Sequence, residues 1–201
     1  MPIAFVGDVH GCSRELRDLL AKIDSSIDHI VFLGDLVNRG PDSKGVLEII
    51  AALRSSNAST VTLLAGNHDL QLRQVLEDDD ALDEFLRMGG AATIRSYVGP
   101  PYEDVLTQLR VAIPVSHRLL LDNLETTWEG DGVTAVHDAR SLGHNSSGFV
   151  VAGHSAQRML VPTIRSNYAL IDTGCGTIRG GRLTCMYWPT QEWFQSSIFG
   201  P

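Results

Sequence analysis

Five groups of potential metal ligands occur in this sequence, each directly after a short apolar run. The first three are Gly7-Asp8-Val9-His10-Gly11, Gly34-Asp35-Leu36-Val37-Asn38-Arg39-Gly40 and Gly66-Asn67-His68-Asp69, and the last two are His137 and Gly153-His154. Carboxylates, imidazoles and an amide oxygen are the ligand mixture preferred by Mn, Fe or Zn rather than by Cu or an iron–sulfur cluster. We therefore expect a metal site, with neighbouring glycines that allow sharp turns and the close approach of a substrate.

Each group taken alone also has an ordinary structural interpretation. Asp and Asn residues after a strand often close side-chain turns, and a single histidine is more often a structural residue than a ligand. The five groups occur in order, however, and each stands at the end of a predicted strand. This combination favours a metal site over five separate structural roles.

The elements that position the first three groups are predicted to alternate between strands and helices. Residues 2–7, 29–35 and 60–67 are apolar runs of strand length, and apolar residues at helical spacing, such as Leu16 and Leu19, follow them. Strands that alternate with helices pair in parallel, and their carboxyl ends meet at the sheet edge where ligands bind. We therefore expect the three groups to lie together at one edge.

The middle of the chain predicts a helical cap beside that edge. Residues 77–99 have a helical pattern, and residues 102–111 form one more predicted helix before Pro114. The acidic run from Glu77 to Asp80 is interpreted as a solvated face, because its spacing does not suit a cation-binding loop. The cap is expected to cover about residues 70–112.

After Pro114 the chain is predicted to be rich in strands. Short apolar runs separated by Gly and polar turns occur at residues 119–121, 133–136, 149–152, 168–171 and 183–188. No change in composition separates the two halves. We expect a single α/β domain over residues 1–201, in which two packed mixed β-sheets are flanked by helices and carry the small helical cap.

Composition narrows the class of protein further. Lys+Arg 16 against Asp+Glu 24 gives a net charge of −8, which repels phosphate backbones and argues against a partner that is a long nucleic acid. Three cysteines, Cys12, Cys175 and Cys185, cannot all pair and fit a reducing compartment. No apolar stretch has the length of a signal peptide or a membrane-spanning helix. We expect a cytoplasmic protein with no membrane partner, and its oligomeric state stays open.

Taken together, the motifs resemble those of the calcineurin-like metallophosphoesterases, in the branch that holds phosphoprotein phosphatases and symmetrical diadenosine tetraphosphatases. The resemblance covers nearly the whole chain, through GDVHG, GDLVNRGPDS, GNHD, GHS and the later stretch LIDTGCGTIRGGRLTCM. It implies an α/β/β/α sandwich that holds two divalent metal ions, with manganese as the first choice and iron or zinc as alternatives. The implied ligands are Asp8 and His10 for one ion, Asp35 for both ions, and Asn67, His137 and His154 for the second ion.

Such a site implies hydrolysis without a covalent phosphoenzyme. Two divalent ions about 3.5–4 Å apart lower the pKa of a shared water and give a metal-bound hydroxide as nucleophile at neutral pH. Arg39 is expected to bind the phosphoryl oxygens through its guanidinium group, and His68 to act as general acid for the departing alkoxide. A cysteine nucleophile is excluded, because no cysteine is followed by an arginine six positions later.

Two positions near the predicted catalytic histidine depart from the protein-phosphatase pattern. Asn38 stands where that branch carries an Asp that orients the histidine. We expect Asn38 to accept a hydrogen bond from His68 and, without a negative charge, to raise the pKa of His68 less. Ala65 stands where protein phosphatases tend to have an arginine before the GNH motif. Both changes favour the dinucleotide hydrolases or unspecialised bacterial members.

A further departure concerns the stretch between the last two ligand groups. His137 and His154 are only 17 positions apart, whereas this interval usually carries a second phosphate-binding arginine. Arg140 is the only arginine within it, and two interpretations stay open: it substitutes for the missing arginine, or it is a surface residue without a role. We expect an open site that lacks one wall. The family pattern His-Ala-Gly reads His137-Asp138-Ala139 here, but His137 follows an apolar run and is preferred to His144 as the ligand.

Three functions are consistent with these residues. The leading hypothesis is a metal-dependent phosphomonoesterase of the serine/threonine protein phosphatase type, whose partner is a phosphorylated protein or a small phosphate ester, and the other two are alternatives to it. The second is a symmetrical bis(5'-nucleosyl)-tetraphosphatase that releases two ADP from diadenosine tetraphosphate. The third is an inactive relative that only binds phosphorylated ligands.

Overall fold

The computed structural model describes residues 2–142 and 148–199. His144, the alternative to His137 as a metal ligand, lies outside the described residues. Seven α-helices and ten strands follow one another along the described part of the chain. They are β1 (Ile3–Val6), α1 (Ser13–Leu20), β2 (His29–Phe32), α2 (Ser43–Ser55), β3 (Thr60–Leu63), α3 (Asn67–Glu77), α4 (Leu82–Arg87), α5 (Gly90–Tyr97), α6 (Val105–Ala112), α7 (Val115–Asp122), β4 (Thr127–Gly130), β5 (Val133–Val136), β6 (Phe149–Ala152), β7 (Thr163–Ile164), β8 (Tyr168–Leu170), β9 (Thr184–Trp188) and β10 (Trp193–Gln195).

The strands form two mixed sheets of five strands each. The first sheet has the order β10-β9-β1-β2-β3, in which β1, β2 and β3 are parallel and β9 and β10 are antiparallel to their neighbours. The second has the order β4-β5-β6-β8-β7, with β5, β6 and β8 parallel at its centre. The parallel pairing of the first three strands and the two-sheet architecture are therefore confirmed.

Strand β1 shows how alternation along a strand divides the core. Ile3 and Phe5 pack between the two sheets, where Phe5 makes an edge contact with Trp128 at a ring distance of 5.9 Å. Ala4 and Val6 point to the opposite face and pack against the helices. Because successive side chains of a strand point to opposite faces, a strand covered on both sides must be apolar throughout.

The described α-helices precede the second sheet in sequence, and their buried side chains join the core on the outer face of the first sheet. On the outer face of the second sheet, Ala139 and Leu142 from a short 3₁₀ turn pack against Val136, Val150 and Ala152. Strands β5 and β6 are neighbours in this sheet and pair in parallel. Within the described residues, the helical layer expected on this side is thus reduced to that turn.

The cap contains more, shorter helices than the sequence predicts. The predicted helical stretch 77–99 is split into a 3₁₀ turn at Asp79–Ala81, α4 and α5, and Gly89 with φ 88° separates the two helices. The strand predicted at residues 119–121 is wrong, since these residues lie in α7. Leu120 and Leu121 are buried together with His117, which is the i, i+3, i+4 spacing of a helix face. None of the helices in the described ranges is long and apolar enough to cross a membrane.

Candidate active site

The carboxyl ends of strands from both sheets meet at one edge of the sandwich. Asp8 follows β1 and accepts hydrogen bonds at 3.1 Å from the backbone N–H of His154, which follows β6. His137 follows β5, and its Nδ1–H donates to the carbonyl of Leu33 in the turn after β2, at 2.8 Å. These contacts bring the ends of β1, β2, β5 and β6 together.

One cluster contains four of the predicted ligands. His137 Nε2 lies 3.1 Å from Asn67 Oδ1 and 3.5 Å from Asp35 Oδ1, and His154 Nδ1 lies 3.0 Å from Asn67 Oδ1 and 3.1 Å from His137 Nε2. Two imidazole nitrogens, an amide oxygen and a carboxylate oxygen thus converge on one point. These donor atoms, which include the carboxylate of Asp35 and the imidazoles of His137 and His154, fit a divalent cation.

A second cluster faces the other oxygen of Asp35. His10 Nε2 lies 3.6 Å from Asp35 Oδ2, and His68 Nε2 lies 3.9 Å from the same oxygen. The Nδ1–H of His10 donates to the carbonyl of Val37 at 3.3 Å, so its Nε2 lone pair is directed at Asp35. A ligand histidine that donates its other nitrogen to a backbone carbonyl is the usual arrangement at metal sites. Asp35 therefore offers one oxygen to each cluster.

Close backbone approach at the site requires glycine at two positions. A Cβ on Gly153 would collide with Asp8 Oδ1, and a Cβ on Gly66 would collide with the backbone N and a carboxylate oxygen of Asp35. Neither residue leaves space for a side chain. The glycines beside the ligand residues thus have the role expected for them, which is to let the polypeptide pass close to the carboxylates.

Several polar residues at the site adopt left-handed backbone conformations. His10, Asp35 and His154 have φ values of 45°, 51° and 63°, and Asn38 and Arg39 have values of 70° and 66°. Residues other than glycine adopt such values at a cost, and they concentrate at functional sites. Backbone hydrogen bonds hold these loops together, among them His10 N to Asp35 O at 2.8 Å.

Burial gives the site strongly shifted pKa values. Burial raises the pKa of Asp35 to about 6, and burial together with the neighbouring carboxylate of Asp172 raises the pKa of Asp8 well above its usual range. Burial, with the nearby positive charges of the site, lowers the pKa of His10 to about 3 and that of His68 to about 4. Buried carboxylates beside neutral imidazoles are an environment that a divalent cation would neutralise.

Two buried carboxylates of the site were not assigned a role from the sequence. Asp69 is inaccessible to solvent and accepts a hydrogen bond at 2.9 Å from the N–H of Leu36, in the loop that carries Asp35. Asp172 follows β8 and accepts from Gly174 N at 2.9 Å. The sequence contains a signal for each of them, because Asp69 ends one of the five ligand groups and Asp172 follows the predicted strand 168–171.

The two arginines predicted to bind phosphate lie in different surroundings. Arg39 is exposed, and its positive charge contributes to the lowered pKa values of His10 and His68. Arg140 is also exposed, but its Nε lies 3.0–3.1 Å from both oxygens of Asp138 and its Nη2 lies 2.8 Å from His154 Nε2. Arg140 is therefore at the margin of the site and already paired with a carboxylate.

Asn38 contacts the predicted catalytic histidine, but in the opposite direction to the one expected. The amide nitrogen Nδ2, rather than the oxygen Oδ1, lies 3.1 Å from His68 Nδ1. The oxygen instead accepts a hydrogen bond at 2.7 Å from the hydroxyl of Thr93 in α5. The reason for this orientation lies in the cap, at a residue that the sequence motifs do not include.

Residues 1–157 match the family model described as calcineurin-like phosphoesterase. The chain belongs to this family. This family uses a dinuclear site for divalent metal ions, and the His and Asp groups around Asp35 are able to bind metal.

Curated relatives of known name align with only part of the chain. A "Bis(5'-nucleosyl)-tetraphosphatase, symmetrical" of Proteus mirabilis is 43% identical over 94 residues, which are 43% of this chain and 33% of that protein. A protein of the same name from Nitrosospira multiformis is 46% identical over 79 residues, 38% of this chain and 27% of the relative. The matched region thus spans a third or less of these relatives' length.

Solved structures resemble the chain over almost its whole length. A candidate diadenosine tetraphosphatase has a TM-score of 0.63 at 22% identity and covers 99% of this chain and 95% of its own. A metallophosphoesterase from Sphaerobacter thermophilus has a TM-score of 0.63 at 15% identity and covers 99% and 89%. At these identities, the similarity establishes the fold.

Proposed function

We propose that this chain hydrolyses a phosphoric ester or anhydride with the help of two divalent metal ions. The observation that carries the proposal is the position of Asp35, whose two oxygens face two separate clusters of imidazole ligands. Asp8 and His10 would complete one metal site, and the second would be completed by Asn67, His137 and His154. Bound divalent ions would supply electrophilic activation of water and of the phosphoryl group.

The protein's own groups then bind and orient the substrate. Arg39 is exposed and its positive charge acts on the pKa values of His10, His68 and Asp35, so its planar guanidinium can donate paired hydrogen bonds to phosphoryl oxygens. His68 is buried with Nε2 directed towards Asp35, where it can donate a hydrogen bond to the leaving oxygen. Asp69 accepts from the backbone of the Asp35 loop and holds that loop in its left-handed conformation.

For the substrate we propose a symmetrical dinucleoside tetraphosphate. The names of the curated relatives support this choice over a phosphorylated protein. The sequence supports it as well, because Ala65 stands where protein phosphatases tend to have an arginine. Hydrolysis of an anhydride also needs less help from a general acid than release of a serine alkoxide, since a nucleoside diphosphate is the better leaving group.

A product assay tests both the proposed metal-dependent hydrolysis and the proposed substrate. The purified chain is incubated with diadenosine tetraphosphate, a phosphoserine peptide and an aryl phosphate, each with manganese, zinc, iron(II) or magnesium and with a chelator control. We expect two ADP from the dinucleotide and no product with the chelator. Asp35→Asn should abolish turnover, and Asp28→Asn, the same change at an exposed carboxylate, should not.

Other product patterns point to the other functions. ATP together with AMP contradicts symmetrical cleavage. Phosphate released from the peptide but no ADP from the dinucleotide indicates a protein phosphatase. Metal binding measured by calorimetry without turnover of any of the three substrates indicates an inactive relative and refutes the proposal.

A further inference from the structure

A chain of buried polar side chains connects the cap to the predicted catalytic histidine. Ser43 Oγ lies 2.8 Å from Thr93 Oγ1, Thr93 Oγ1 lies 2.7 Å from Asn38 Oδ1, and Asn38 Nδ2 lies 3.1 Å from His68 Nδ1. Ser43, Asn38 and Thr93 are 0% exposed and His68 is 2% exposed. Since water does not reach these groups, their hydrogen bonds must be satisfied within the chain itself.

The direction of each hydrogen bond follows from the number of protons available. The amide oxygen of Asn38 can only accept, so the single hydroxyl proton of Thr93 is donated to it. The hydroxyl of Ser43 then donates to Thr93. Both hydroxyl oxygens also accept from the backbone N–H of Asn38, at 3.1 Å for Ser43 and 3.0 Å for Thr93. In this arrangement each hydroxyl proton has an acceptor.

The reversed orientation of the Asn38 amide does not satisfy the same groups. Turning the amide would place Nδ2 beside Thr93, which would have to accept from it and turn its own proton towards Ser43. Among the hydrogen bonds of the described residues, the Ser43 proton would then have no acceptor. The two hydroxyl groups therefore select the orientation in which Nδ2 faces His68.

We propose that Thr93 is a positioning residue: its hydroxyl orients the Asn38 amide so that His68 Nδ1 accepts a hydrogen bond and the imidazole proton stays on Nε2. Nε2 is the nitrogen that faces Asp35 and the two ligand clusters, at 3.9 Å from Asp35 Oδ2. His68 is thus held with its donor directed at the place where the leaving oxygen of the substrate would lie. The catalytic consequence rests on the proposed function, whereas the position of the proton does not.

The cap holds the same loop at a second point, which makes Thr93 part of a larger contact. The backbone N–H of Arg39 donates to the carbonyl of Gly89, directly before α5, at 3.3 Å. A Cβ on Gly89 would lie only 3.0 Å from the Arg39 side chain. Helix α5 and the turn before it thus contact both Asn38 and Arg39, although neither Thr93 nor Gly89 belongs to the motifs of the sheet edge.

Nitrogen NMR of the histidine ring tests the position of the proton without any need for turnover. Long-range ¹H–¹⁵N spectra of the chelator-treated and zinc-loaded protein are assigned for His68 with a His68→Gln variant. We expect a protonated Nε2 and an unprotonated Nδ1 in the wild type and in Thr93→Ser. In Thr93→Val the amide is free to turn, and we expect signals of the other tautomer. A protonated Nδ1 in the wild type, or a Thr93→Val spectrum identical to that of the wild type, overturns the proposal.

Two further variants keep the test independent of how well Thr93→Val folds. Asn38→Asp replaces the amide donor with a carboxylate that can only accept, so we expect Nδ1 to carry a proton, and an Nδ1 that stays unprotonated overturns the proposal. Thr62→Val is the matched control, because it removes a buried threonine hydroxyl that contacts His29 rather than the site. Its His68 spectrum should equal that of the wild type.

Kinetics test the catalytic consequence separately. For an alkyl phosphate, whose leaving group is poor, Thr93→Val should lower kcat by about tenfold with little change in KM, as is typical when a residue that orients an active-site group is lost. The loss should be smaller for p-nitrophenyl phosphate, and Thr93→Ser should restore activity with both. An equal loss with both substrates contradicts a role through the leaving oxygen. A wild type that turns over neither these esters nor diadenosine tetraphosphate, but has the expected tautomer, refutes the proposed function and leaves the role of Thr93 in place.

Discussion

The buried carboxyl group of Asp35 makes the stability of the metal-depleted protein depend on pH. Asp35 is 3% exposed, and burial raises its pKa from 3.8 to about 6. A carboxyl group with a higher pKa in the folded than in the unfolded state stabilises the fold while it is protonated. This contribution is fully present below the unfolded pKa and is lost as the pH rises through the folded value. The difference between the two pKa values corresponds to about 3 kcal/mol.

The substitution Asp35→Asn isolates this contribution, because it keeps the shape and the oxygen that accepts from His68 N but cannot titrate. Urea denaturation is measured for both proteins in excess chelator at about pH 3.5 and about pH 7.5. The unfolding free energy of the variant minus that of the wild type should be about 3 kcal/mol larger at the higher pH than at the lower pH. Asp28→Asn, at an exposed carboxylate, controls for the loss of a charge as such.

Divalent ions should reverse this ranking, because they compensate the carboxylate that the chelated protein leaves buried. An ion present at about 1,000 times its Kd stabilises the folded wild type by about 4 kcal/mol. Asp35→Asn lacks the negative charge that both clusters share, so the same ion should stabilise its folded state far less. The reasoning is refuted if the difference between wild type and variant in chelator does not change with pH, or if manganese stabilises both proteins equally.

Three further predictions follow from particular contacts. Gly153→Ala should weaken manganese binding in calorimetry because its Cβ would collide with Asp8, while Gly99→Ala, which has open space, should bind as the wild type does. Equal affinities would contradict the geometry. Arg39→Lys should raise KM for the dinucleotide by about tenfold with a smaller effect on kcat, because the paired hydrogen bonds to phosphate are lost; an unchanged KM would remove Arg39 from substrate binding. Phe85→Ala should lower the unfolding free energy by about 3–5 kcal/mol in urea denaturation, since Phe85 is completely buried in the cap; a loss below about 1 kcal/mol would show that the cap core contributes little.

The sheet edge could be predicted from the sequence because its signals are local. Each parallel strand is a short apolar run, and each is followed within a few residues by the group that it positions, as Asp8 follows β1 and His154 follows β6. Asp35 was also expected between two groups of ligands, and both of its oxygens have neighbours there. The roles of these residues in metal binding and catalysis stay predictions.

Other features depend on contacts that no local pattern contains. Residues 119–121 have the composition of a strand, and only their packing with His117 on one face makes them helical. Asp172 follows a predicted strand, but its effect on the pKa of Asp8, 164 positions earlier in the chain, depends on how the two sheets pack. The direction of the Asn38 amide depends on Thr93, 55 positions further along the chain. The type of residue at position 38 predicted a contact with His68, but the donor and acceptor were decided by a helix of the cap.

The helices of the cap thus contribute to the site through direct contacts with the loop that carries Asn38 and Arg39. Asn38 and Arg39 both have left-handed φ values, which cost about 1–3 kcal/mol each unless their surroundings compensate. The compensating contacts come from the cap, through the hydroxyl of Thr93 to Asn38 and the carbonyl of Gly89 to the N–H of Arg39. A change that loosens the cap should therefore release the guanidinium and the imidazole orientation together, while the ligands around Asp35, which are held by contacts between the sheets, keep their geometry.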